Sequence, residues 1–119
     1  MNKRKVGAEH EELAVSYIKD NHIRILERNF RSRSGEIDII GYDGEYYIFF
    51  EVKYRKSDAS GNPAEAVNYK KQRVISRVAD YYRICAKLSD TSNIRFDVIS
   101  ILGAEIEWYK NAFYYIPPN

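Results

Sequence analysis

The 119-residue chain has a single cysteine, Cys85, which excludes an internal disulfide framework and a thiolate zinc cage. We read Cys85 as a small buried hydrophobe. Proline is scarce, three in all, and two of them fall in the closing Ile116-Pro117-Pro118-Asn119, a tail expected to fray. No apolar run approaches the roughly 20 residues of a membrane-spanning helix. The basic start Met1-Asn2-Lys3-Arg4-Lys5 leads into Gly7-Ala8-Glu9-His10-Glu11-Glu12 rather than an apolar stretch, so it makes no secretory signal, and the protein is expected in the cytoplasm. Charge of one sign is not in excess either: the formal net charge is only +2, which by itself gives little reason to invoke a polyanionic partner.

What is present is an ordinary globular mixture, 45% hydrophobic and 30% charged, in a length that suits one domain with one core. Residues 1–119 are therefore expected to form a single domain, with 1–6 and 115–119 as flexible ends. The basic residues are unevenly spread. Lys53, Arg55, Lys56, Lys70, Lys71 and Arg73 face only Asp58 and Glu65 between positions 53 and 73, and Arg24, Arg28, Arg31 and Arg33 crowd another stretch. Local positive fields of this kind suit a polyanion, whose condensed counterions each cation can release; a solvated surface explains the charges equally well.

Periodicity supplies the elements. Leu13, Ala14, Tyr17 and Ile18 recur at helical spacing, so 7–21 reads as an amphipathic helix. Residues 23–31 read as a strand, Ser32-Arg33-Ser34-Gly35 as a turn, and Glu36-Ile37-Asp38-Ile39-Ile40 as a second strand. Asp43-Gly44 centres a hairpin, and the strand beyond it, 46–54, is aromatic and β-branched enough to be buried on both faces. A loop over 57–63 precedes a long helix, 64–88, with Val67, Val74, Ile75, Val78, Ala79 and Tyr82 as its apolar stripe. Residues 95–102 form a further strand, and 103–109 a short hairpin partner. The order αβββαββ implies an α/β (α+β) domain with a mixed central sheet flanked by helices. The eleven tyrosines are assigned mainly to packing, with Trp108 and Phe113.

Alternation on strands puts Glu36 with Asp38, and Glu51 with Lys53 and Arg55. Counting back from the Asp43-Gly44 turn brings Asp38 level with Glu51, with Ile37, Ile39, Phe50 and Val52 on the opposite, core face. Two carboxylates at one point repel unless a cation lies between them. Mg²⁺ or Mn²⁺ fits, since such ions take oxygen ligands and retain waters and a substrate phosphate. Lys53 would then position water or stabilise charge on phosphorus. Taken as a bare pattern, a strand-to-strand ion network on a solvated face accounts for these residues at least as well. His10 and His22 are too far apart to form a zinc pair, and His22 reads as a helix-end residue.

The stretches Gly35-Glu36-Ile37-Asp38-Ile39-Ile40 and Phe49-Phe50-Glu51-Val52-Lys53-Tyr54-Arg55 resemble the active-site hairpin of the PD-(D/E)XK, or restriction-endonuclease-like, nucleases. The whole chain is similar to the YraN family within that superfamily, small bacterial proteins similar to archaeal Holliday junction resolvases. Gly7, Glu11 and Ala14, Arg28-Asn29, Lys71-Gln72, Arg95-Phe96-Asp97-Val98 and Asn111-Ala112-Phe113 extend the match across residues 7–113. The ordered set is more specific than the central motif and turns the reading from ion network to site.

That resemblance implies a restriction-endonuclease-like αβββαβ core and Mg²⁺- or Mn²⁺-dependent hydrolysis of DNA, favoured over RNA, with branched or junction DNA as one substrate class. It implies Asp38 and Glu51 as metal ligands, Lys53 as catalytic lysine and Glu11, with Glu9 as its competitor, as accessory acid. Arg55, Lys71, Gln72 and Arg33 are the candidate nucleic-acid contacts. Symmetric junction cleavage would require a homodimer with two sites. The proline of the superfamily's name is replaced by Ile37, and His10 stands where the family often has glycine. The competing reading is an inactive nucleic-acid-binding or assembly module of the same fold.

Overall fold

The computed structural model describes residues 3–55 and 67–119, with side chains from Glu9 onward. Its elements are α1 (Lys3–Asp20), β1 (Arg24–Ser32), β2 (Gly35–Tyr42), β3 (Tyr46–Arg55), α2 (Tyr69–Cys85), β4 (Asn93–Leu102) and β5 (Glu105–Phe113). The five strands make one mixed sheet in chain order; β3 and β4 are parallel and the other neighbours antiparallel. The α+β class and the αβββαβ order match the reading from sequence. The loop expected over 57–63 lies outside the described residues.

Each face of the sheet carries its own apolar cluster. Ala14, Val15 and Ile18 of α1 pack with Ile23, Ile39, Ile48, Phe50, Ile99 and Ile101. On the other face Ile75, Val78, Ala79 and Tyr82 of α2 meet Ile37, Ile40, Phe49, Phe96, Val98 and Phe113. An aromatic run crosses that second face: Phe49 stacks on Phe96 at 5.4 Å, Phe96 on Phe113 at 5.0 Å, and the Tyr82 ring meets Phe30 and Phe49 edge-on. Strand β3 is thus covered on both sides, as its composition predicts.

Several local expectations change. Leu13 is exposed and Val15 takes its place in the core, so the buried stripe of α1 is rotated from the predicted one. Helix α2 begins at Tyr69 rather than Ala64, because the Asn68 side chain accepts from Lys71 N–H at 2.8 Å and caps it. Cys85 is exposed, since it lies in the last turn of α2, past Tyr82. Both helices end in a Schellman motif with a non-glycine residue in the left-handed region: His22 (φ 65°) after α1 and Lys87 (φ 54°) after α2. At the tail, Ile116 N–H donates to Ser76 Oγ and Tyr115 Oη to Asp80, and Arg77 bonds the Ile116 carbonyl, so these two residues lie against α2.

Topology gathers one end of the sheet. The β1–β2 turn, the end of β3 and the first turn of α2 lie together, because α2 runs back antiparallel to β3 before β4 restarts parallel to it. Gly35 marks the contact. Its φ is 155°, and a Cβ there would stand 2.6 Å from Val74 Cγ1, so a side chain at this position would force Val74 or the turn to shift.

Candidate active site

Strands β2 and β3 pair as Tyr42–Tyr47, Gly41–Ile48, Ile40–Phe49 and Ile39–Phe50. Continuing that register sets Asp38 opposite Glu51 and Ile37 opposite Val52. The ladder stops first. Val52 N–H donates instead to Asp38 Oδ2 at 2.7 Å, so the carboxylate lies in the opening between the strands and satisfies a backbone donor that would otherwise be unpaired.

The β1–β2 pairing passes from Arg28–Ile39 to Phe30–Ile37 without a pair at Asn29 and Asp38, and Asn29 has φ 52°, while the register itself shifts earlier, between Ile25 and Glu27. At Asp38 the alternation of faces along β2 is broken: Ile37 packs in the α2-side cluster while Ile39 and Phe50 pack on the α1 side, with Val52 against the same cluster. This corrects the expectation that Ile37, Ile39, Phe50 and Val52 share one core face.

Glu51 is 7% exposed. Its Oε1 receives two ammonium groups, Lys53 Nζ at 3.5 Å and Lys71 Nζ at 3.7 Å. Asp38 is held well above its ordinary value of 3.8, at about 7. Desolvation is the largest cause and the Glu51 charge the next; the Val52 hydrogen bond opposes them, Glu36 adds to the rise and Lys71 reduces it. Glu36 itself pairs with Arg31 at 3.5 Å.

Glu11 accepts from Asn29 Nδ2 at 2.7 Å and from Arg28 Nε at 3.4 Å, while Glu12 pairs with Arg28 from the solvent side. The side chain of Glu11 thus reaches the β1 residue next to Asp38, whereas Glu9 is exposed. Of the candidate nucleic-acid contacts, Lys71 meets Glu51, and Gln72 Nε2 is bonded to the Val67 carbonyl at 2.8 Å, closing the first turn of α2. Arg33 is exposed in the β1–β2 turn, and Arg55 ends β3, where its charge is felt by Tyr109. His10 stacks on Tyr54, centroids 3.8 Å apart, beside Lys53 in the chain.

A family model described as Uncharacterised protein family UPF0102 matches residues 10–101. The chain belongs to the UPF0102 family. Related UPF0102 proteins include one from Alkaliphilus oremlandii, 48% identical over 118 residues and covering 95% of this chain and 100% of that protein. Another, from Lachnoclostridium phytofermentans, is 42% identical over 113 residues, 95% of this chain and 96% of its own. A third, from Thermodesulfovibrio yellowstonii, is 43% identical over 114 residues, 96% and 100% respectively. The stretch shared with the UPF0102 model contains Glu11, Asp38, Glu51, Lys53 and Lys71. Among the described residues, no helix is long and apolar enough to cross a membrane.

One buried acid of this UPF0102 chain went without a role in the sequence reading. Asp97 on β4 is fully buried and accepts four hydrogen bonds: Arg95 Nε and Nη2, each at 2.9 Å, Trp108 Nε1 at 2.8 Å and Asn111 N–H at 2.9 Å. It sits where the β4–β5 ladder shifts and Asn111 adopts φ 53°. Asp38 and Asp97 thus both cap a backbone N–H at a broken ladder, with opposite electrostatics. Asp97 is neutralised by a bidentate arginine and saturated with donors. Asp38 feels the charges of Glu51 and Glu36 and, among the described residues, accepts one hydrogen bond, from Val52 N–H. No signal in the sequence separates the two; the partners do.

Among the described residues, no three His, Cys, Asp or Glu converge as a protein cage for a metal. Two carboxylates on adjacent strands, one disfavoured as an anion by the other, match in chemical type what a hard divalent cation takes when it keeps waters and substrate oxygens in its remaining positions. Mg²⁺ or Mn²⁺ fits this set, and Zn²⁺, which prefers nitrogen and sulfur ligands, fits it poorly.

Proposed function

We propose that this UPF0102 protein is a Mg²⁺- or Mn²⁺-dependent nuclease of the PD-(D/E)XK, restriction-endonuclease-like type, hydrolysing phosphodiester bonds of DNA. The observation that carries the reading is the meeting of Asp38 and Glu51 where β2 and β3 part, with the Lys53 ammonium 3.5 Å from Glu51. Asp38 and Glu51 would hold the ion, which when bound supplies charge stabilisation to the phosphate and acidity to water. Lys53 orients water or substrate oxygen beside Glu51. Glu11, tied to Asn29, is the accessory acid. Lys71, Arg33 and Arg55, at the same end of the sheet, offer positive charge to the backbone of the nucleic acid, which fixes position without reading sequence. Branched or junction DNA is one substrate class this reading admits, and symmetric cutting there would require a homodimer with two such sites.

A specific observation supports the second reading, a binding or assembly module: Glu51 already has two ammonium partners, the arrangement of a structural ion network. Cleavage of labelled four-way junction, flap, duplex and single-stranded DNA in Mg²⁺, Mn²⁺ or EDTA separates the two. The nuclease reading expects metal-dependent cutting that falls at least about 100-fold in Glu51→Ala and Lys53→Ala, the scale of removing one group that stabilises a transition state. A folded Glu51→Ala protein that cuts like the natural one would refute it. Binding without cutting under every condition would establish the module instead.

A further inference from the structure

Lys71 approaches the carboxylate pair from a different element than Lys53, and its position is unlike that of an ordinary surface lysine. It projects from the first turn of α2, where the Asn68 cap and the Gln72–Val67 bond fix the backbone. Its Nζ lies 3.7 Å from Glu51 Oε1, the same oxygen that Lys53 contacts at 3.5 Å. Its charge is also felt at Asp38, whose anion it favours. The ammonium therefore contacts one carboxylate of the pair and reaches the other through its field. It is also 42% exposed on a long flexible stem, and among the described residues the ion pair with Glu51 is the contact that holds its ammonium.

Resting on the nuclease reading above, we propose that Lys71 is a gatekeeper of the metal site: its ammonium competes with the divalent ion for Glu51 and Asp38, and the ion enters by displacing it. Both cations seek the same oxygens, and two positive groups cannot share them without mutual repulsion. Lys53, on the same strand as Glu51, closer to it and less exposed than Lys71, keeps its place. Lys71 swings on its stem toward solvent, into the end of the sheet where Arg33 and Arg55 lie, and becomes available to a phosphate only once the ion is in. The device couples metal loading to the capture of the anionic substrate. It also weakens metal binding by the protein alone, so that ion and substrate load together.

The test is Mn²⁺ binding to the full chain without nucleic acid, followed by titration calorimetry and by the loss of the free-ion electron paramagnetic signal. The proteins compared are the natural one, Lys71→Met, and Lys70→Met, which removes one charge from the neighbouring exposed position. Circular dichroism and thermal unfolding establish that each is folded. Lys71→Met is expected to bind Mn²⁺ about fivefold more tightly, the upper range for releasing a half-exposed ion pair, with Lys70→Met changed by less than about twofold. Unchanged or weaker binding in Lys71→Met would overturn the gatekeeper role while leaving the metal site intact. Equal tightening in both variants would overturn it in favour of a general field effect. If no protein binds Mn²⁺, the gatekeeper role falls, while the nuclease reading stands or falls by the cleavage assay in Mg²⁺ or Mn²⁺.

Discussion

Replacing Asp38 by asparagine tests the electrostatics of the carboxylate pair apart from any activity. In the folded protein the Asp38 carboxyl is raised from 3.8 to about 7, first by burial and then by the Glu51 charge. The native state therefore binds more protons than the unfolded chain across that interval, and stability falls as pH rises from about 4 to about 7. At 1.36 kcal/mol per pH unit the full interval corresponds to about 4 kcal/mol, present below the window and lost above it. Asparagine keeps an oxygen for Val52 N–H and removes the charge. Asp38→Asn is thus expected to be more stable than the natural protein by about 2 to 4 kcal/mol at pH 8, and close to it at pH 4. Urea unfolding in EDTA at pH 4, 5, 6, 7 and 8 measures both profiles. Added Mn²⁺ should raise the stability of the natural protein at pH 8, since an ion that binds only the folded state stabilises it, and should leave Asp38→Asn unaffected. Parallel pH profiles for the two proteins in EDTA would refute the reasoning, because they would mean that Asp38 titrates alike folded and unfolded.

Two further outcomes test the scaffold. Asp97→Ala leaves Trp108 Nε1 and Asn111 N–H without their acceptor and takes the bidentate partner from Arg95, which is part-buried and still pairs with Asp43 at 3.8 Å; a loss of about 2 to 4 kcal/mol is expected in denaturant unfolding. Lys87→Gly relieves a left-handed backbone at the end of α2 and should raise stability by about 0.5 to 1 kcal/mol, read as a shift in the urea midpoint without change in slope.

The hairpin that brings Asp38 level with Glu51 was legible because everything it needs is local: alternation along two strands, an Asp-Gly turn, and a count of residues back from it. The helices and the mixed sheet followed from periodicity for the same reason. What stayed hidden depends on breaks in that alternation and on contacts between elements. Ile37 and Ile39 pack on opposite faces although they are two residues apart on one strand, and no pattern in β2 itself reveals it. The start of α2 was misplaced because Val67 fits the apolar stripe, although the side chain of Asn68 caps the helix only after it. Lys71 reached Glu51 through the packing of α2 over the turn at Gly35, a tertiary contact that spacing cannot supply. The contrast between Asp38 and Asp97 was invisible for a related reason, since an acid's role is decided by partners on other strands.

The two left-handed asparagines have one more consequence. Strands β1 and β5 form the two borders of the sheet, and each carries one of them, Asn29 and Asn111. A border that bends and skips a pair does not present the straight row of free amide and carbonyl groups that another extended chain needs as a template. Charged Arg24, Glu27, Arg28 and Arg31 along β1 add to the mismatch. Among the described residues, the five-stranded sheet is therefore interrupted along both borders, which makes each a poor template for another extended chain.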